Sequence, residues 1–229
     1  MITVLELVLK RALRQRLTIA LMLLFPVVIA LLPQPAGMTT PALSYGIFGL
    51  VMLFSAFLLT KQLIEDRQGR TIVRIAAAPI SHRDYLIGHL LAYAVIMSAQ
   101  VVFFWLLSII RWSAPTNFYS WALLSLTIFM ILSISFCLFW HSLFRTYATS
   151  ISIFSVIANL MAVIGGMSFP LQFLPDTLRR VAIVLPTYWY AYGLELLEET
   201  RILTFILSLL ILMGFAIIFV SIGSKRRFA

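Results

Sequence analysis

The chain contains 229 residues, of which 62% are apolar and only 11% are charged, and its net charge is +9. Soluble domains carry roughly 25% charged residues, so this composition excludes an ordinary soluble enzyme and a disordered protein. The positive charge does not indicate nucleic acid, because Lys and Arg gather in the cytoplasmic loops of helical membrane proteins. We predict an integral membrane protein that binds no nucleic acid and forms a single transmembrane domain over residues 1–229.

The first segment, residues 1–16, has the pattern of an amphipathic helix that lies in the membrane plane. Apolar residues recur on one helical face, and a Glu and two basic residues form a second stripe: Ile2, Leu5, Leu9 and Leu13; then Glu6, Lys10 and Arg14. The alternative is a secretory signal peptide with a cleavage site near Ala36.

Six stretches approach or exceed the ~20 apolar residues that a helix needs to cross a ~30 Å hydrocarbon core. In chain order they are 17–32, 41–60, 84–110, 117–141, 148–164 and 203–222. The sequence therefore predicts an all-α integral membrane protein with six transmembrane helices. Thirteen Lys and Arg residues lie on one side of these spans and four on the other. The positive-inside rule then places both termini in the cytoplasm, in a multi-pass protein of the inner (cytoplasmic) membrane.

The cytoplasmic loop over residues 61–83 is the best candidate for a working part. Thr71 can begin a short helix in it and Pro79 ends that helix. One face of the helix would carry the apolar side chains of Ile72, Ile75 and Ala76. Another face would carry Arg74. We interpret this helix as a docking knob for a partner. The alternative is an ordinary basic loop held at anionic lipid.

Polar residues inside the predicted spans are few. No Asp, Glu, Lys or Arg lies near the middle of any span, and the polar residues of note there are Gln100 and Asn159. This pattern argues against proton-coupled transport and against a channel lined by charge rings. Gln100 and Asn159 are either hydrogen-bond partners between helices or contacts along a substrate path.

Small residues recur at helical spacing in the fifth span, at Ser155, Ala158 and Ala162, with Asn159 beside them. Such a face lets another helix approach closely. It predicts either packing within the chain or a dimer or gate contact, and the sequence does not choose between the two.

The most unusual stretch is 165–200, where Pro170, Pro175 and Pro186 prevent one continuous helix. Its apolar pieces are too short to span, so we predict an outer re-entrant helix pair before the last span. Asp176 and Thr187 are the predicted N-caps. Aromatic residues from Tyr188 onward suit the headgroup level.

Three acidic residues follow that aromatic cluster, at Glu195, Glu198 and Glu199. They are either the solvated end of a loop or a contact for a cation or a substrate.

Catalytic motifs are missing from the sequence. There is no phosphate-binding loop, no H-E-x-x-H and no G-x-S-x-G, and the three histidines lie far apart. We therefore predict no catalytic residue, no metal site and no cofactor bound by this chain. A third possible function is a membrane acyltransferase. It would need a catalytic His or acid at an accessible membrane edge, and the scattered histidines argue against it.

Three features together resemble the membrane permeases of type 2 ABC transporters. The first is the amphipathic helix before span one, which is similar to the family's elbow helix. The second is an inner-loop string, Asp66…Thr71-Ile-Val-Arg74-Ile75…Pro79-Ile-Ser81…Tyr85…Gly88, and the third an outer string, Gly165-Gly166…Phe169-Pro170…Leu174-Pro175…Pro186-Thr187-Tyr188. The family's Gly before the Thr is replaced by Arg70 here.

The resemblance implies a permease subunit that dimerises, as a homodimer or a heterodimer, within membrane lipid. Its coupling helix would dock a separate ATPase that binds ATP and Mg. Hydrolysis would export an amphipathic drug, peptide, antibiotic or lipid-linked molecule. The family's dimer contacts involve the first and fifth spans. The alternative function is a non-transport assembly or immunity factor that acts by protein binding.

Overall fold

The structure, a computed structural model, describes residues 2–32, 41–68, 82–169, 171 and 174–225. These residues form helices and contain no strand, which confirms the all-α prediction. The helices are α1 (Ile2–Leu13), α2 (Arg16–Leu31), α3 (Ala42–Thr60), α4 (Gln62–Gln68), α5 (His82–Arg111), α6 (Thr116–Leu143), α7 (Tyr147–Ile164), α8 (Asp176–Ala182), α9 (Pro186–Glu198) and α10 (Ile202–Lys225).

Five helices in the described part are long and apolar enough to cross a membrane: α3, α5, α6, α7 and α10. A sixth crossing would need the α1–α2 pair, which is bent by 75°. At 1.5 Å per residue the 16 residues of α2 extend only about 24 Å. Five to six crossings agree with the sequence prediction, and the predicted ends lie within three residues of the observed ones.

Helix α6 lies at the centre of the bundle. It packs against α3, α5, α9 and α10, whereas α7 touches chiefly α3, α8 and α9. In the most apolar window of α6, 67% of the residues are buried, and α3 is close behind at 61%; for α7 and α10 the figure is 28%. The described helices therefore form a buried pair, α3 and α6, within a ring of less buried helices.

Three hydroxyl groups on α6 bond to the helix's own backbone. Thr127 donates to the carbonyl of Leu123 at 2.8 Å, and Ser133 donates to that of Phe129 at the same distance. Ser135 donates to the carbonyl of Ile131 at 2.7 Å. Because these groups find partners one turn back, the central helix can carry hydroxyls through an apolar environment.

The bundle has two distinct ends. At one, the Tyr45 hydroxyl on α3 lies 2.7 Å from the Ser108 hydroxyl on α5, and Tyr190 on α9 donates to the Tyr45 carbonyl at 2.9 Å. We call this the α9 end. At the other, His141 near the end of α6 lies 3.3 Å from the Phe57 carbonyl of α3. We call this the α4 end, because α4 follows α3 there.

Two short helices, α8 and α9, connect α7 to α10. They contain 7 and 13 residues, so neither reaches across a bilayer. The predicted N-caps are wrong, since Pro175 and Leu185 occupy these positions and Asp176 and Thr187 lie inside the helices. Pro186 takes the first helical position, where its missing N–H costs nothing.

Candidate functional site

The predicted coupling residues lie outside the described part of the chain, and the structure gives only what precedes them. These residues are Thr71, Ile72, Arg74, Ile75, Ala76 and Pro79. Helix α4 leads into them with Leu63 and Ile64 buried. The Lys61 ammonium lies 2.8 Å from a Glu65 carboxylate oxygen and 5.0 Å from the centre of the Tyr147 ring. The start of the loop is thereby fastened to α3, α6 and α7.

A buried histidine joins three helices at the same end. His141 is fully buried, with one ring nitrogen 3.3 Å from the Phe57 carbonyl and the other 3.3 Å from the Ser150 hydroxyl. Trp140 donates to the Ser150 carbonyl at 3.3 Å. No pattern in the sequence indicated this network, because its members come from α3, α6 and α7. No group of three metal-binding side chains occurs among the described residues.

The two polar residues predicted for a substrate path do not meet. Gln100 is buried and donates to the Ser55 hydroxyl of α3 at 3.1 Å, so it links α5 to α3. Its side-chain carbonyl has no hydrogen-bond partner in the described structure. Asn159 lies on the exposed face of α7 and donates to the Ser155 carbonyl at 2.7 Å.

The small residues of α7 divide between two faces. Ala158 and Ala162 are fully buried within the single chain, and Ser155 is half-buried. Their neighbour Asn159 points the other way, together with the exposed side chains of Val156, Leu160 and Val163. The two alanines therefore serve packing within the chain, and the exposed face of α7 is a different set of residues.

At the α9 end the backbones of α3 and the segment after α7 come unusually close. A Cβ added to Gly46 would lie 2.5 Å from the Met167 carbonyl oxygen, and one on Gly49 would strike Tyr190. Tyr190 itself stacks on Phe129 of α6, with ring centroids 4.1 Å apart. Only glycine permits this approach, which joins α9 to the buried pair α3 and α6.

Three of the four residues predicted for the outer segment, Pro175, Pro186 and Tyr188, lie at the α9 end of the bundle. The fourth, Pro170, lies outside the described residues. Pro175 is the N-cap residue of α8, and Pro186 is the first residue of α9. Tyr188 is buried against Leu171 and Ala182 and stacks on the Tyr192 ring at 5.5 Å. Burial raises the pKa of the Tyr188 hydroxyl, an effect that the charge of Arg179 opposes.

A cavity of about 360 Å³ opens beside α9. Its apolar lining comes from the first turns of α3 and from α9; its charged lining comes from α8 and the end of α9. The described lining residues are Ala42, Leu43, Gly46, Gly166, Arg179, Ala191, Leu194, Glu195, Glu198 and Glu199. Sequence reasoning found the three acidic residues but not the cavity, because its walls come from distant segments.

The glutamates of the cavity differ in their surroundings. Glu195 accepts a hydrogen bond from the Leu171 N–H at 3.3 Å, and burial nevertheless raises the pKa of its carboxyl. Burial also raises the pKa of Glu198, and the nearby Glu195 and Glu199 raise it further. Glu199 lies 3.2 Å from the Arg201 guanidinium. Of the three cavity carboxylates in the described structure, Glu199 therefore has a cation within 4 Å, whereas Glu195 and Glu198 have none.

A family model supplies the identity of the bundle. The model described as ABC-2 family transporter protein matches residues 32–225, from the end of α2 through α10. This chain belongs to the ABC-2 transporter family. A search of curated proteins found no match to the chain. ABC-2 permeases are membrane components of transporters, are not themselves catalytic and usually work with an ATPase partner.

The family assignment bears on the predictions made from sequence. The resemblance to an ABC-2 permease is confirmed. The helices of this ABC-2 protein support a multi-pass membrane protein with a transport role. Helix α1 precedes the matched region, meets α2 at a 75° bend and packs against α5, and its role as an elbow helix stays a prediction.

Proposed function

We propose that this protein is the membrane-spanning permease subunit of an ATP-driven exporter of amphipathic molecules in the cytoplasmic membrane. A separate ATPase binds ATP and Mg, and this chain supplies the path and the moving helices. Both termini and the loop over residues 61–83 face the cytoplasm. The unequal distribution of Lys and Arg, 13 on that side against four, supports this orientation.

The observation that carries the proposal is a transporter-family bundle whose spans contain no ionisable group near the midplane. The residues from 42 to 60 and from 202 to 224 include no Asp, Glu, Lys, Arg or His at all. The histidines of α5 and α6 lie near the α4 end, and His141 is engaged there by Phe57 and Ser150. A driving ion would need a carboxylate or a similar ligand in the bilayer. The work must then come from a partner.

The described flank of residues 71–79 supports a mechanical role for that segment. Helix α4 precedes this segment in the chain and is anchored by its buried Leu63 and Ile64. Lys61 connects α4 to Tyr147, and His141 connects the adjacent turns of α3, α6 and α7. A partner that displaces residues 71–79 would therefore pull on the three spans together.

The dimer contact that we propose is the exposed face of α7. From Val156 to Val163 this face is apolar apart from Asn159, which already bonds to its own helix. A second permease, identical or different, would cover Val156, Leu160 and Val163, which the single chain leaves about half exposed. The remaining exposed apolar surface of the bundle would contact lipid.

The coupling proposal is tested by placing a charge on the docking helix. Ile75→Asp should leave membrane insertion and dimerisation intact but abolish co-purification of the ATPase, because burying an unpaired charge costs several kcal/mol, or over ~100-fold in affinity. Thr177→Asp, an exposed position on α8, is the matched control and should retain the ATPase. Normal ATPase stoichiometry with Ile75→Asp would remove this segment from coupling.

The orientation is tested separately by cysteine labelling in intact cells, in a Cys137→Ser background. A cysteine at Asp176 should react with a membrane-impermeant reagent, and one at Arg70 should not. The opposite pattern would invert the topology.

A further inference from the structure

The cavity at the α9 end has two walls of different chemistry. Ala42, Leu43 and Gly46 of α3 and Ala191 and Leu194 of α9 form an apolar wall. Three carboxylates and one guanidinium form the other: Glu195, Glu198, Glu199 and Arg179. A volume of about 360 Å³ lies in the range of small-molecule sites. The cavity is thus shaped for a molecule with an apolar body and a charged group.

The sign of that charged group follows from the partners of the lining residues. Arg179 acts on both Tyr188 and Glu195, and Glu199 is paired with Arg201, which lies outside the lining. Glu198 is left with carboxylates as its nearest charged neighbours. A carboxylate in this position gains most from a cation, because a positive charge offsets the repulsion from Glu195 and Glu199 as well as its partial desolvation.

We propose that this cavity binds an amphipathic ammonium compound, with the cationic head at Glu198 and Glu195 and the apolar body against α3 and α9. That this ligand is transported cargo rests on the proposed export function, whereas its binding does not. The ammonium could belong to a soluble amine or to a lipid headgroup, and the two sources are separated below. Because the pKa values of Glu195 and Glu198 are raised, acidification should weaken binding at a higher pH than it would for glutamates with the usual pKa.

The electrostatic part of the proposal is tested with a cysteine on the apolar wall. Ala42→Cys in a Cys137→Ser background is reconstituted in discs of anionic lipid and treated with two thiosulfonates of similar size, one carrying trimethylammonium and one sulfonate. We expect the cationic reagent to react at least about 10-fold faster, after correction for a free thiol, because nearby carboxylates create a negative potential. Glu195→Gln combined with Glu198→Gln should abolish the preference.

Asp176→Asn is the matched control. It removes one carboxylate from the same end of the bundle but outside the cavity lining, and should change the ratio by less than about 2-fold. A ratio near one in the parent protein, or a ratio unaffected by the double Gln variant, would overturn the proposal.

The ligand itself is tested by protection of the same cysteine. Phenethylammonium should slow its modification, whereas the neutral 2-phenylethanol and the anionic phenylacetate should not. The protection should disappear in the double Gln variant. Equal protection by phenylacetate, or no protection by phenethylammonium, would contradict ammonium binding.

The two sources of ammonium are distinguished by the disc. If phosphatidylethanolamine in the disc protects the cysteine without added amine, the ligand is a lipid headgroup; if only the soluble amine protects, it is a free compound. These measurements use no ATPase. A failure here with ATPase co-purification intact removes only the cavity proposal, and the converse result removes only the coupling proposal.

Discussion

Of helices α6 and α10, the more apolar one is the less buried. Helix α10 has the more apolar sequence, yet 28% of its best window is buried, against 67% for α6. The buried helix carries the hydroxyls, one cysteine and a histidine, whereas α10 exposes mostly Ile and Leu. In a soluble protein the more apolar helix would occupy the core. In a bilayer it can face the lipid, because lipid tails are as apolar as its side chains and no hydrophobic effect drives it inside.

The largest effect should come from truncating the same residue type on these two helices. Leu126 on α6 is fully buried, and Leu210 on α10 is 62% exposed. Leu126→Ala should lower the free energy of unfolding by about 3 kcal/mol, because it leaves a cavity between packed helices. Leu210→Ala should change it by less than about 1 kcal/mol, because lipid fills the space. Equilibrium unfolding in mixed micelles measures both, and equal losses would contradict the comparison.

A matched pair of glycines gives the next largest difference. An added Cβ at Gly46 of α3 would meet a backbone carbonyl oxygen, whereas at Gly214 of α10 it meets nothing within 4 Å. Gly46→Ala should destabilise by about 2 kcal/mol, because a backbone neighbour cannot rotate away. Gly214→Ala should leave stability unchanged or raise it by up to about 1 kcal/mol through helix propensity. Thermal unfolding monitored by fluorescence distinguishes the two.

A smaller effect is expected from one buried hydrogen bond. The Tyr190 hydroxyl donates to the Tyr45 carbonyl, and both residues are fully buried. Tyr190→Phe should cost about 1 kcal/mol, which is near the average for such bonds in membranes and in water. The control is Ser152→Ala on the exposed face of α7, where the hydroxyl donates only to its own helix at Ala148. It should cost less than about 0.5 kcal/mol, and a larger loss than for Tyr190→Phe would refute the assignment.

The smallest effect depends on pH. Partial desolvation and the neighbouring Glu195 and Glu199 raise the pKa of Glu198 above the usual 4.5, so its ionised form costs stability above the raised pKa. Glu198→Gln should therefore stabilise the protein near neutral pH by less than about 1 kcal/mol, given the exposure. The gain should shrink as pH falls through the raised pKa and vanish below 4.5.

The control for this pH dependence has the opposite sign. The pKa of Glu6 on α1 is lowered by Lys10, whose ammonium lies 2.7 Å away. Its ionised form stabilises the protein above 4.5, and this contribution is lost as pH falls through the lowered pKa. Glu6→Gln should thus lower the melting temperature at neutral pH. Melting temperatures that move in the same direction for both variants would contradict the assigned shifts.

The sequence predicted the helices well and their partners poorly. The ends of the spans follow hydropathy because the bilayer requires a minimum length of apolar helix. Hydropathy does not predict which face of a helix is buried. Both faces of α7 carry apolar residues, yet Ala158 is buried and Leu160 is exposed. The N-caps at α8 and α9 were wrong because proline geometry set those starts, and Thr187 found a carbonyl partner on α7, at Met161.

The candidate site was less predictable still. The acidic residues were visible in the sequence, but the wall provided by Ala42 and Gly46 is about 150 residues away from them along the chain. No local pattern encodes that approach; it depends on Gly46 and on the positive φ of Gly166. The role proposed for Ile75 rests on resemblance and on the anchored flank at Lys61.

The hydroxyls of α6 bear on how the protein is made. Thr127, Ser133 and Ser135 already hold partners within their own turn of helix, so α6 presents few unsatisfied polar groups to lipid even without neighbours. A segment of this kind can exit the translocon as a single helix and remain stable in the bilayer before its neighbours are inserted. The helix that ends most buried can therefore be inserted before α10 has been synthesised, and the order of translation does not obstruct assembly.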